Sequence, residues 1–205
     1  MLKTKIAVLV SGGGTNLQAL IDAQTKGILK SGEIALVVSN KADAYALERA
    51  KMHQIETAVL DNAQCPDQSS FETKLKMLLA DHQITVIVLA GFMRILSPDF
   101  TKTYPRQIIN VHPSLIPSFC GKGFYGLKVH AAALEYGVKL TGATVHFVNE
   151  IPDGGEIILQ KSVPVRKTDT PETLQTRVMK QAEWKILPRA CELICKMQQE
   201  EAMSQ

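Results

Sequence analysis

The stretch Lys5-Ile6-Ala7-Val8-Leu9-Val10-Ser11-Gly12-Gly13-Gly14-Thr15-Asn16-Leu17 decides the fold. Lys5–Val10 reads as an apolar strand and Ser11–Gly14 as a glycine turn. Thr15–Lys26 follows as a helix, with Leu17, Leu20 and Ile21 on one face. Strand, tight turn and helix in that order begin a βαβ unit.

The alternation continues outward from there. Ile34–Ser39 reads as a second strand and Asp43–His53 as a helix that Asp43 caps. Thr57–Leu60 is a short strand, and Ser69–His82 a helix. Ile84–Leu89 is β-branched enough for a buried parallel strand. Pro98–Tyr104 is a short helix capped by Ser97, and Gln107–Val111 is the next strand. The loop His112 to Tyr125 is long and rich in glycine, proline and aromatic residues, a composition typical of functional loops. Leu127–Tyr136 reads as a helix. Thr144–Val148 and Ile157–Val165 read as strands around the turn Pro152-Asp153-Gly154-Gly155. Two C-terminal helices follow, the first capped by Thr170-Pro171, with a break at Pro188. This order predicts an α/β fold with a doubly wound, mostly parallel sheet flanked by helices. An antiparallel strand is expected near the C-terminal part of the sheet. One domain is expected over 1–205, with a core of about 5–188 and a C-terminal helix and tail to 205.

Composition narrows the function class. The chain has 205 residues, of which 45% are hydrophobic and 21% charged, an ordinary globular balance. The net charge of +3 is too small and dispersed to argue for nucleic acid. No segment approaches the roughly 18 apolar residues a membrane helix requires. The start, Met1-Leu2-Lys3-Thr4-Lys5, lacks a signal peptide's apolar region and cleavage site, so a cytoplasmic protein is expected. Cys65, Cys120, Cys191 and Cys195 form no CxxC pair and have no further ligands close by. Reduced thiols and no metal site are expected.

Three loops are predicted to converge at the carboxyl ends of the strands, where such sheets bind ligands. Ser11-Gly12-Gly13-Gly14-Thr15-Asn16 suits a phosphate at a helix N-terminus. A dinucleotide fits poorly, because Leu17 stands at the third glycine position and the second strand ends in Asn40. A merely structural tight turn explains the glycines as well. Asn110 and His112 alternate along one strand and therefore share a face. An amide donor beside an imidazole can stabilise an oxyanion and move a proton, although a strand-end histidine also serves as a structural hydrogen-bonder. Asp153-Gly154-Gly155 is a natural turn. Asp153 facing His112 would hold the ring and favour its charged form. Gly91-Phe92-Met93-Arg94-Ile95-Leu96 fits either an ordinary apolar turn or a slot for a flat heterocycle.

Together these motifs resemble the formyltransferases that use 10-formyltetrahydrofolate. The carrying residues are Ser11–Ala19, Ser39–Ala44, Leu89–Ser97, Asn110–Pro117, Gly142–Val148 and Asp153–Gly155, spread from about Lys5 to Pro188. The Asn-x-His-Pro-Ser-Leu motif with the later Asp-Gly-Gly is specific to the wider family. The Ser-Gly-Gly-Gly-Thr-Asn turn narrows it to the glycinamide ribonucleotide branch. The resemblance implies a Rossmann-like fold and a one-carbon transferase of purine biosynthesis. The formyl group would pass from 10-formyltetrahydrofolate, as cosubstrate, to the primary amine of 5-phosphoribosylglycinamide. The partners implied are these small molecules alone, with no nucleic acid and no membrane, and a monomer or homodimer.

It also implies roles. Asn110, His112 and Asp153 match the catalytic trio. Gly13, Gly14, Thr15 and Asn16 match the substrate phosphate turn. Met93, Arg94, Ile95 and Leu96, with Asn110, match the cofactor-binding positions. Glu183 matches an acidic residue near the substrate, but only after a one-residue shift in its helix. Two positions depart from the family pattern: Cys120 replaces a proline in the loop after Ser114, and Gln68 stands where a folate-contacting basic residue is common. The rival readings are a 10-formyltetrahydrofolate hydrolase, which usually carries an extra N-terminal domain, and a non-catalytic nucleotide-binding module. A methionyl-tRNA formyltransferase would be expected to add a C-terminal RNA-binding domain.

Overall fold

The computed structural model describes residues 3–203. Among the described residues, seven strands form one sheet: β1 Thr4–Val10, β2 Gly32–Ser39, β3 Glu56–Val59, β4 Val86–Leu89, β5 Ile108–His112, β6 Leu140–Phe147 and β7 Ile157–Pro164. The helices are α1 Thr15–Thr25, α2 Tyr45–Met52, α3 Gln68–Asp81, α4 Pro98–Thr103, α5 Leu127–Tyr136, α6 Pro171–Val178 and α7 Trp184–Met203. A π-helical turn, Met179–Glu183, joins α6 to α7.

The strand order is β3-β2-β1-β4-β5-β6-β7. The pairs from β3 through β5 are parallel, and β5–β6 and β6–β7 are antiparallel. The expected doubly wound, mostly parallel sheet is present, and its antiparallel part comprises two strands. The chain leaves β1 toward β2 on one side and returns to β4 on the other. The crevice beyond β1 and β4 is therefore the topological switch point, where open α/β sheets bind ligands.

The strand period of two builds both cores. Ile6, Val8 and Val10 of β1 join a buried cluster with Leu17, Leu20 and Ile21 of α1 and Leu187, Cys191 and Ile194 of α7. Ala7 and Leu9 face the other way, into a cluster with Phe71, Leu75 and Leu79 of α3 and Phe100 of α4.

The start of α2 departs from expectation. Ala44, not Asp43, is at its N-cap, and no side chain caps it. The N–H of Ala46 instead donates to the Gly12 carbonyl at 3.0 Å, so the glycine turn itself satisfies the start of α2. Pro188 does not break the C-terminal helix either. It lies inside α7 and is buried there, so apolar packing offsets one lost backbone bond near the helix start. The irregularity comes earlier, at the π turn. Strand β6 begins at Leu140 rather than Thr144, because its first half pairs with β7.

Candidate active site

The phosphate-suited turn is fixed by close packing. Gly14 caps α1 with φ +70°, a left-handed conformation, and a Cβ there would lie 2.6 Å from the Ala46 Cβ. Among the described residues, a Cβ on Gly13 would meet nothing within 4 Å, so that face of the turn is open. The side chain of Arg49 holds the turn from outside, Nε donating to the Gly13 carbonyl at 2.8 Å. The Ser11 hydroxyl donates to Asn40 Oδ1 at 2.7 Å and accepts from the Met93 N–H at 2.8 Å. One buried hydroxyl thus ties the loops after β1, β2 and β4 together.

Asn110 and His112 stand on β5 and line one cavity of about 300 Å³ with Thr15, Asn16, Met93, Asp153 and Glu183. A larger cavity of about 460 Å³ lies between α1 and α7, but it is lined by none of Asn110, His112 and Asp153. We place the chemistry at the smaller cavity because the titratable groups meet there.

Asp153 is brought in by a tight turn. Its φ is +57°, and Gly155 presses so closely on β6 that a Cβ there would lie 1.8 Å from the Phe147 carbonyl. Asp153 Oδ2 accepts from the Gly121 N–H at 2.8 Å and lies 3.4 Å from His112 Nδ1. His112 Nε2 faces the Phe119 carbonyl at 2.9 Å. Both ring nitrogens of His112 therefore face acceptors, an environment suited to a ring carrying two N–H groups. Burial pushes the Asp153 carboxyl up, but the His146 ring, the charge of His112 and the Gly121 N–H outweigh it. The carboxyl ends below the ordinary carboxylate range.

His146, to which the sequence reading gave no role, completes this cluster. It pairs with Asn110 across β5 and β6, and its Nε2 lies 3.2 Å from Asn110 Nδ2 and 3.6 Å from Asp153 Oδ1. The contact between Asn110 Nδ2 and Asp153 Oδ1 is long, at 3.5 Å. The signal available in the sequence was the period of β6, which sets His146 on the same face as Thr144.

Glu183 reaches the same cavity from the other side. It is 6% exposed, and its Oε2 accepts from Asn16 Nδ2 at 2.7 Å. Burial pushes its carboxyl up to about 7, against the Asn16 hydrogen bond. The π turn explains the one-residue shift in the resemblance: a π turn accommodates one extra residue without ending the helix.

The apolar slot is only partly as expected. Ile95 and Leu96 line a small cavity with Phe92, Asn110 and Asp153, and Met93 and Ile95 line another beside Gly123 and Tyr125. Met93 and Ile95 are 55% and 70% exposed, so this loop offers apolar surface beside these cavities. The Arg94 side chain lines none of these cavities. Its Nε donates to Gln68 Oε1 at 2.8 Å and its guanidinium lies 4.4 Å from the centre of the Phe71 ring. Gln68 also donates to the Ile95 carbonyl at 2.9 Å, so it braces this loop. Cys120 donates to the Pro117 carbonyl at 3.2 Å. Burial, then the charge of Asp153, raises its thiol above the usual range, which disfavours a nucleophilic thiolate.

The arrangement can hold an anion at a helix start, seat an apolar ligand beside it, and stabilise an oxyanion between them. Comparison with known proteins shows the family. The formyl transferase family profile matches residues 4–191. The phosphoribosylglycinamide formyltransferase of Haemophilus influenzae is 44% identical over 184 residues, covering 90% of this chain and 84% of that protein. The trifunctional purine biosynthetic protein adenosine-3 of Homo sapiens is 45% identical over 192 residues, covering 94% of this chain. The chain spans only 18% of the length of that larger protein. The crystal structure of glycinamide ribonucleotide transformylase 1 from Symbiobacterium toebii superposes with a TM-score of 0.88 at 40% identity, covering 95% of this chain and 89% of that one. A site of this geometry, on a chain matched over nearly all its length, places the protein: it belongs to the formyl transferase family.

Proposed function

We propose that the chain is a phosphoribosylglycinamide formyltransferase of purine biosynthesis. It moves the formyl group of 10-formyltetrahydrofolate onto the primary amine of glycinamide ribonucleotide, giving the N-formyl product and tetrahydrofolate. The observation that carries this reading is the meeting of Asn110, His112 and Asp153 between an anion-suited helix start and an exposed apolar loop.

In this reading the α1 N-terminus, with Gly13, Gly14, Thr15 and Asn16, holds the phosphate. Glu183 accepts hydrogen bonds from the polar middle of the substrate. Met93, Ile95 and Leu96 seat the folate ring, and Arg94 shapes that loop through Gln68 rather than by lining it. As the amine adds to the formyl carbon, Asn110 donates one of its two Nδ2 hydrogens to the developing oxyanion. His112 adds charge-assisted stabilisation and supplies a proton, directly or through water, to the departing N10. Asp153 keeps His112 charged and oriented. The amine itself is the nucleophile, so the protonated Cys120 thiol takes no covalent part.

The chain works as one domain on small molecules in the cytoplasm, as a monomer or homodimer, with no nucleic-acid or membrane partner. No described helix is long and apolar enough to cross a membrane. The test is absorbance on mixing the protein with 10-formyl-dideazafolate, with and without glycinamide ribonucleotide. Turnover that requires the amine is expected. Turnover without it would make the chain a hydrolase, and none in either case would leave a binding module.

A further inference from the structure

Three buried histidines meet near the cavity, and one of them is not like the others. Both ring nitrogens of His112 and of His146 face polar partners. His130, on α5, is 0% exposed and lines the same cavity as His112 and Glu183. Neither of its nitrogens has a hydrogen-bond partner among the described residues. A buried polar atom left unpaired is costly, so a ring with two such atoms at a ligand cavity is suited to a ligand's hydrogen bonds. Asn16 Oδ1, in the same cavity, is likewise unpaired.

The charge state of His130 says which group it suits. Burial, then repulsion from His112, lowers its pKa to about 4, so at neutral pH the ring is uncharged and presents one donor and one acceptor. His130 lines the same cavity as Asn110, His112 and Asp153, the groups that meet at the reacting centre. A phosphate belongs at the α1 N-terminus, beside Thr15 and Asn16. An ammonium has no lone pair, whereas a neutral amine has both N–H groups to donate and a lone pair to attack with.

We propose that His130 is a substrate-contacting residue that accepts a hydrogen bond from the attacking amine and turns its lone pair toward the formyl carbon. This rests on the formyl-transfer reading and adds a group that selects and aims the free-base amine. No proton moves to His130: the ring orients, and the proton the amine loses as the adduct collapses passes, directly or through water, to His112, replacing the one His112 gives to N10.

The experiment compares His130→Phe and His130→Gln with the wild type by steady-state kinetics and thermal unfolding. For His130→Phe, kcat/KM for glycinamide ribonucleotide is expected to fall about tenfold or more, the worth of one hydrogen bond to the reacting group. The folate KM should stay within about twofold, and Tm should hold or rise because two unpaired buried nitrogens are removed. His130→Gln, which keeps an acceptor, should recover part of the loss. A Phe variant as active as wild type overturns the proposal. So does one whose Tm and folate KM worsen in step with its activity, since that marks a packing role. If the Phe variant does not fold, 15N spectra of the wild type decide. The bare ring nitrogen of His130 should shift when glycinamide ribonucleotide and tetrahydrofolate are added, and an unmoved signal overturns the assignment. Failure of the wild type to form any N-formyl product would instead defeat the formyl-transfer reading itself.

Discussion

The two ends of the cavity are built to different degrees. At the Asp153 end the titratable groups are already engaged: the carboxylate with Gly121 and His112, His112 with Phe119, and His146 with Asn110 and Phe147. At the Glu183 end the carboxylate has Asn16 alone, and Asn16 Oδ1 has no hydrogen-bond partner among the described residues. The end that in the proposed reaction would handle charge in the transition state is preorganised, as electrostatic stabilisation requires. The other end keeps its hydrogen bonds for what binds there. The two carboxylates register the difference, one pushed below its ordinary range and the other raised to about 7.

Breaking the finished end should cost most. Asp153→Asn removes the charge that supports His112, and kcat should fall about a thousandfold, within the usual span for acid–base machinery. A fall of less than tenfold in stopped-flow or steady-state assays would detach Asp153 from the chemistry. Asn110→Ala removes one oxyanion donor and should lower kcat about a hundredfold, or ~3 kcal/mol, with the circular dichroism spectrum unchanged. Near-normal turnover there would sink the assignment of the trio.

The unfinished end should show itself in stability rather than in kcat. A carboxyl whose folded pKa is raised binds its proton more tightly in the folded state. Its contribution is complete below the unfolded value near 4.5 and is lost as pH rises toward 7. The loss is on the order of 3 kcal/mol between those limits. Glu183→Gln should flatten that slope, making the variant the more stable protein at pH 8 in urea titrations. Parallel pH curves for variant and wild type would refute the raised pKa. Asp153 has the opposite sign: its contribution is present above the ordinary carboxylate range and lost as pH falls through the depressed folded value. The smallest effect is expected at Cys120, which lies beside the finished end without joining it. Cys120→Ala should keep kcat within about twofold, consistent with a protonated thiol.

Most of the architecture was legible because it depends on local periodicity. The apolar alternation of β1, the Ser97 and Thr170 caps and the run of Ile84–Leu89 each act over a few residues. Asn110 and His112 were legible as a pair for the same reason, since strand period puts them on one face. What failed depends on contacts distant in sequence. Asp43 lost the cap of α2 to a carbonyl from the glycine turn, and Pro188 was tolerated because α7 is buried around it. The side chain of Arg94 was drawn to Gln68 and Phe71 on α3. His130 carried no motif at all, because an orphaned nitrogen is a property of the packed interior. The displaced register of Glu183 was visible in the sequence, but only the π turn explains how the helix absorbs it.

The Ser11 hydroxyl links what would otherwise be two separate binding events. It belongs to the loop that would receive the phosphate and accepts the N–H of Met93, from the loop that would receive the folate. A ligand that stiffens one loop thereby lowers the entropy cost of ordering the other, so each ligand should tighten the other by the same factor. Ser11→Ala cuts that thread without touching either ligand's charged contacts, and calorimetry of each ligand with and without the other would measure how much synergy one oxygen atom carries.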